Sequence, residues 1–163
     1  MTLFIKIYRA LTFDENFYRE LENDRTNISH AILVVLIVGI CNGLGTLNIV
    51  STSILREIIF NLIGWFVWSF IIYLIGVKIL NMTSDFVELL LYLGFAFSPG
   101  IINIFGLIPN LTYYVLIISL FWTILTFIYA TKYALNCNFM KAFAVCVVSV
   151  VPYILIRSLL LII

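Results

Sequence analysis

From residue 31 to the end of the chain, five long apolar stretches follow one another with only short polar interruptions. They fall at about residues 31–50, 58–80, 86–108, 111–135 and 139–163. Each is long enough, as a helix, to cross a hydrocarbon core that needs roughly 20 residues. Asn27 or Ser29 stands where the first helix would be capped, and Asp85-Phe86-Val87-Glu88 has the form of a capping box heading the third. Residues 51–57 read as a short loop, residues 81–84 as a turn, and Pro109-Asn110 and Asn136-Cys137-Asn138 as tighter ones. Pro152 should bend the fifth helix.

The first 30 residues have another character. They hold nine of the seventeen charges, with Lys6, Arg9, Arg19 and Arg25 against Asp14, Glu15, Glu20, Glu22 and Asp24. Leu3, Phe4, Ile7, Tyr8 and Leu11 fall on one helical face, with Lys6 and Arg9 off that stripe. This predicts an amphipathic helix in the membrane interface, the apolar residues toward lipid or the bundle and the two cations toward headgroups. Thr12-Phe13-Asp14-Glu15 has the form of a second capping box, after which Phe13, Phe17 and Leu21 share a face. A packed pre-helix covering one end of the bundle fits the same pattern. Lys6 and Arg9 interrupt the first apolar stretch, and acidic residues stand where a cleavage site would be needed, so no secretory signal is expected.

Composition turns this pattern into a fold class. Hydrophobic residues make up 64% of the 163 and charged residues 10%, with a mean hydropathy of +1.18. A soluble domain of this size has too little interior for so much apolar surface. The chain therefore reads as an all-α polytopic membrane protein. An amphipathic N-terminal segment (residues 1–30) precedes a bundle of five transmembrane helices (31–163). A net charge of +1 gives no reason to expect nucleic acid. Cys41, Cys137 and Cys146 lack metal or redox spacing, so neither a metal nor a cofactor is expected. With the N-terminus inside, Lys6, Arg9, Arg19, Arg25, Lys78, Lys132 and Lys141 face the cytoplasm and only Arg56 and Arg157 the other side. That bias predicts an N-inside, C-outside topology. Arg157 would snorkel to the outer interface, or else meet a neighbour's carbonyls.

The third stretch is the unusual one. Ser98-Pro99-Gly100 lies near its middle, where proline removes a helical hydrogen bond and glycine loosens the backbone. A break is expected there. The freed carbonyls near Phe95 and Ala96 must be met by neighbours, because lipid offers no donors. Gly94, Ala96, Gly100 and Gly106 should permit close helix approach, and Pro109 closes the segment. Asn42, Asn48, Asn61, Ser69, Ser98, Asn103, Ser119, Thr123, Thr126 and Ser149 put uncharged polar groups into the spans. They serve interhelical hydrogen bonding or, with Ser98 and Asn103 flanking the break, a polar path. No Asp, Glu, Lys or His stands at a span centre, which argues against a coupled transporter or pump. His30, alone at the head of the first span, and Asp85 with Glu88, at a helix N-terminus, read as structural. No catalytic residue is expected.

The run Leu93-Gly94-Phe95-Ala96-Phe97-Ser98-Pro99-Gly100-Ile101-Ile102-Asn103-Ile104-Phe105-Gly106-Leu107-Ile108-Pro109 resembles the signature stretch of the Yip-domain membrane proteins. Arg9-Ala10-Leu11, Phe17-Tyr18, Trp122 and Lys132-Tyr133-Ala134-Leu135 resemble the family's flanking segments. The resemblance implies a five-helix membrane domain with a cytoplasmic N-terminus. Eukaryotic relatives bind Rab-type GTPases through a longer cytosolic region. With about 30 residues before its first span, this chain resembles the short prokaryotic members, and direct GTPase binding is not expected. The resemblance does not settle the role of those members; the leading reading is a non-enzymatic scaffold, accessory subunit or membrane-organising factor in a prokaryotic cytoplasmic membrane, its partners the bilayer and another membrane protein or itself. The alternative is a passive channel or small-molecule permease using the broken third helix.

Overall fold

The computed structural model describes residues 2–22, 27–49 and 53–162, with residue 22 and residues 156–162 described by their backbone alone. Among them the helices are α1 (Leu3–Leu11), α2 (Glu15–Glu22), α3 (Ile28–Gly45), α4 (Ile54–Tyr73), α5 (Phe86–Ala96), α6 (Thr112–Ala134) and α7 (Phe139–Ile162). A π-helical turn, Leu74–Ile79, extends α4, and a 3-10 helix, Ser98–Leu107, follows α5. No described residue is in a strand. Four helices are long and apolar enough to cross a membrane: Ile28–Gly45, Ile54–Ile79, Phe86–Leu107 and Thr112–Ala134. The described part of the last, Phe139–Leu155, is a shorter apolar helix.

Two boundaries differ from the sequence reading. The first span begins three residues earlier than expected and stops at Gly45, where the Thr46 hydroxyl caps the Asn42 carbonyl at 2.8 Å. The second begins at Ile54, so Arg56 and Glu57 belong to a helical turn instead of a loop. An acidic residue suits that position, because unpaired N–H groups give a helix N-terminus positive character. The third span begins at its capping box as expected, with Glu88 N donating to Asp85 Oδ1 at 2.7 Å and Asp85 N to Glu88 at 3.4 Å. The fifth continues as one helix through Pro152.

The third segment sits in the middle of the bundle and is the most buried of the four long apolar helices. It runs parallel to α3, whose Ala31, Val38 and Gly45 meet Gly94, Gly100 and Gly106 in order. α4 and α6 run antiparallel to it, Trp65 donating to the Leu90 carbonyl at 3.0 Å and Thr126 to that of Ala96 at 2.8 Å. α7 closes the outside against α4 and α6, with Trp68 donating to Ser149 at 2.9 Å. α1 and α2 pack onto the central segment and α6. Trp122 donates to the Leu11 carbonyl at 3.2 Å, Phe17 meets Phe95 edge-on at 5.2 Å, and Tyr18 stacks between Tyr92 and Tyr133. The end of the bundle that holds α2 also carries Lys78, Lys132 and Lys141, and Arg56 stands at the other end.

Candidate functional site: the broken third span

The break falls where proline dictates it. α5 ends at Ala96 and helical hydrogen bonding resumes in the tighter 3-10 register, with Gly100 N donating to the Phe97 carbonyl at 2.9 Å. Pro99 has no N–H for the Phe95 carbonyl, and the Gly100 N–H has moved to Phe97, so two acceptors are left over. Both are met by side chains. Ser98 Oγ donates to Phe95 at 2.6 Å and Thr126 Oγ1 to Ala96 at 2.8 Å. Farther along, Ser119 Oγ reaches the Pro99 carbonyl at 3.4 Å, and Asn48 and Thr112 share that of Gly106 at 3.0 and 2.8 Å. A buried carbonyl without a donor costs roughly 1–3 kcal/mol, which explains why hydroxyls of α6 and the amide of Asn48, just past α3, converge on this one segment.

Residues three apart eclipse each other in a 3-10 helix. Gly100, Asn103 and Gly106 therefore form one line, and all three are buried. That line lies on α3. A Cβ on Gly100 would meet Val38 at 2.5 Å, one on Gly106 would meet the Gly45 carbonyl at 2.5 Å, and one on Gly45 would run into the Asn103 carbonyl. At Gly45 and Gly106 two backbones touch, and no side chain fits between them. The spacing of three was present in the sequence, and the 3-10 register turns it into a straight line. Gly94 has the same role near the C-terminal end of α5, against Ala31. Pro109 ends the segment on the exposed surface.

Asn103, between the glycines, starts a polar ladder. Its Nδ2 donates to Asn42 Oδ1 at 2.6 Å, Asn42 Nδ2 to Asn61 Oδ1 at 3.4 Å, and Asn61 Nδ2 to the Glu57 carbonyl at 3.0 Å. Asn103 Oδ1 is buried and has no hydrogen-bond partner among the described residues. The ladder forms one wall of a cleft of about 480 Å³ enclosed by α4, α6 and α7. Glu57, Asn61, Asn103 and Thr123 line its polar side, and Leu120, Ile124 and Ile154 its apolar side. Of these, Glu57 stood in a predicted loop, and its first-turn position was the available clue.

The N-terminal residues divide differently from the predicted stripe. Ile7 and Ala10 are buried and Leu3 and Leu11 half-buried against the bundle, whereas Phe4, Ile5 and Tyr8 point outward. Lys6 does not face outward with the headgroups as expected. It is buried, and its ammonium donates to Asn27 Oδ1 and meets His30 Nδ1 at 3.1 Å. Asn27, expected as a cap for α3, makes no cap hydrogen bond and serves Lys6 instead. Arg9 turns back onto α2, bonding Asp14 at 2.5 Å and gripping Glu20 with two parallel hydrogen bonds of 2.7 and 3.1 Å. Asp14, not Thr12, caps α2, accepting from Asn16 N at 2.9 Å. The Thr12 hydroxyl closes α1 by donating to the Tyr8 carbonyl at 3.0 Å. The hydrogen bonds from Arg9 hold Asp14 and Glu20 below the usual carboxylate range, and one from Tyr133 does so for Glu15. Burial pushes the Tyr18 hydroxyl up. Arg25 and the side chain of Arg157, for which the sequence carries expectations, lie outside the described residues.

Comparison with curated proteins and with solved structures gives no match. The Yip1 domain, in contrast, matches residues 8–162, which takes in the central broken segment and the aromatic and basic residues around it. An integral membrane protein by composition and fold, the chain belongs to the Yip1 domain family.

Proposed function

We propose that this protein is a non-enzymatic membrane scaffold or accessory subunit, organising the bilayer or a membrane-protein complex from a prokaryotic cytoplasmic membrane. The family is not a known enzyme family. The observation that carries the reading is the way the break is filled. The leftover carbonyls at Phe95 and Ala96, and that of Gly106, have side-chain donors, and glycine seals the segment onto α3. Carbonyls committed in this way support packing more than ion coordination, which requires acceptors open to a passing ion. The outward face of α6, with Tyr113, Tyr114, Ile117, Ile118 and Phe121 exposed, supplies a broad apolar surface for lipid or a second membrane protein. Phe4 and Tyr8 on α1 are suited to anchoring the N-terminus at the interface. Direct GTPase binding does not belong to this role.

The topology belongs to the same proposal, N-terminus inside and C-terminus outside. It rests on Lys78, Lys132 and Lys141 sharing one end of the bundle with α2. A cysteine placed at residue 53 should label from outside the cell and one at residue 23 should not; the opposite pattern would refute it.

The cleft favours a second reading, a channel or permease. It reaches from one end of the bundle to Trp68 and Phe97 at mid-depth. Beyond that level Phe95, Phe127, Tyr92 and Tyr18 fill the bundle, each 2% exposed or less. Pro99→Ala and Gly100→Leu separate the two readings. A scaffold loses folded yield or partner assembly with no change in liposome flux, and a channel changes flux while remaining folded.

A further inference from the structure

The cleft has features that packing alone does not require. Asn103 is only 7% exposed, and its Oδ1 is an acceptor without a donor among the described residues. An uncompensated polar group in a low-dielectric interior is costly, and the same bundle satisfies its leftover carbonyls carefully. The Asn42 and Asn61 amides are already committed to the ladder. Glu57 adds a carboxylate to the same wall, half-buried at the membrane end and without a hydrogen-bond or ion-pair partner among the described residues. The α4 N-terminus accounts for a negative charge on Glu57, but not for the empty acceptor of Asn103 on the same cleft. What the wall lacks, among the described residues, is a counter-charge for Glu57, and the complement of a carboxylate on the same wall as an open amide acceptor is a cation bearing N–H groups.

The rest of the lining says what carries that cation. Leu120, Ile124 and Ile154 are exposed on the flank of the bundle and also line the cleft. In a bilayer the cleft therefore opens sideways, along α6 and α7, into lipid. At about 480 Å³ it is of the size that takes a headgroup and the start of a chain. We propose that the cleft binds a lipid whose headgroup carries a primary ammonium, the ethanolamine phospholipid class. The ammonium lies between the Glu57 carboxylate and Asn103 Oδ1, and an acyl chain leaves along Leu120 and Ile124. A trimethylammonium headgroup has the charge but no N–H for Asn103, and a glycerol headgroup has hydroxyls but no cation for Glu57. This site goes beyond the scaffold role, which stands or falls on assembly and flux.

The test is native mass spectrometry of the purified full chain in mild detergent. It is titrated in turn with dioleoyl phosphatidylethanolamine, dioleoyl phosphatidylcholine and dioleoyl phosphatidylglycerol. One ethanolamine lipid should bind per chain, roughly tenfold more tightly than either of the others, as one charge-assisted hydrogen bond provides. Glu57→Gln, which keeps the side chain's size, should reduce that binding to the level of the choline lipid. Thr123→Phe, which fills the cleft, should do the same. Should Thr123→Phe fail to fold, Glu57→Gln decides, read beside an unchanged thermal midpoint. Equal binding of the three lipids, or a preference surviving Glu57→Gln, would overturn the site. Competition by free ethanolamine at concentrations comparable to the lipid would overturn the lipid assignment in favour of a soluble amine.

Discussion

Thr126 Oγ1 lies 2.8 Å from the carbonyl oxygen of Ala96, the last residue before the break in the third span. The hydroxyl has one proton to donate. The Trp122 and Thr123 carbonyls are also within reach, at 3.2 and 2.9 Å, but they lie inside α6 and have helical partners. Ala96 has none, because the Gly100 N–H has been drawn to Phe97. Thr126→Val keeps the shape of the side chain and removes the proton. It should lower stability by about 1 kcal/mol, between the average and the largest values measured for hydrogen bonds between membrane helices. Thr126→Ser should restore most of it. Unfolding in mixed detergent, followed by tryptophan fluorescence, makes the comparison.

The glycines should differ sharply among themselves. At Gly45 a methyl group would collide with the backbone of Asn103, which cannot yield without moving the whole 3-10 helix. Gly45→Ala should cost about 3 kcal/mol or more and abolish most of the folded yield. At Gly64 the nearest obstacle is the Tyr153 hydroxyl, 2.9 Å away at the end of a side chain that can swing aside. Gly64→Ala should cost less than roughly 1 kcal/mol, and its higher helix propensity offsets some of that. Size-exclusion profiles of the two proteins give the result directly.

Lys6 and Asn27 make a prediction in two halves. Asn27→Ala leaves a buried ammonium without its amide partner and should release α1, at a cost of roughly 1–3 kcal/mol. Lys6→Met removes the charge and keeps the length, and should be better tolerated than the loss of Asn27. Limited proteolysis after Arg9 reports the release. Equal sensitivity of both variants would mean that the Leu3, Ile7 and Ala10 contacts alone hold the helix.

Docking of α1 and α2 should depend on acid. Asp14 and Glu20 are lowered by Arg9 and Glu15 by Tyr133, so each binds a proton less readily in the docked state than when released. A depressed folded-state pKa gives stability that is present above the ordinary carboxylate value of about 4 and is lost as the pH falls below it. Protease sensitivity of the segment spanning α1 and α2 should rise from about pH 4 downward. Arg9→Gln should flatten the portion of the profile owed to Asp14 and Glu20.

Much of this molecule was legible in its sequence because its solvent is lipid. Length and hydropathy suffice to identify spans when every backbone group must find a partner within a helix. Pro99 located the break for the same reason, since a missing N–H is a covalent fact. The Asp85–Glu88 cap was equally local. Lys6 was not legible, because helical periodicity assigns a residue to a face without saying what will cover it. Here α3 and the residue before it bring His30 and Asn27 over that face, and the cation becomes buried. The donors for Phe95 and Ala96 divide along the same line. Ser98 is three residues from its acceptor, whereas Thr126 is thirty residues away and on another helix. Asn42, Asn61 and Asn103 were visible only as polar residues in apolar runs. The packing of α3 between α4 and the 3-10 helix joins them into a ladder and leaves one acceptor without a donor among the described residues. Sequence set which groups the lipid would not satisfy; the tertiary structure decided which neighbours satisfy them, because those neighbours lie far apart along the chain.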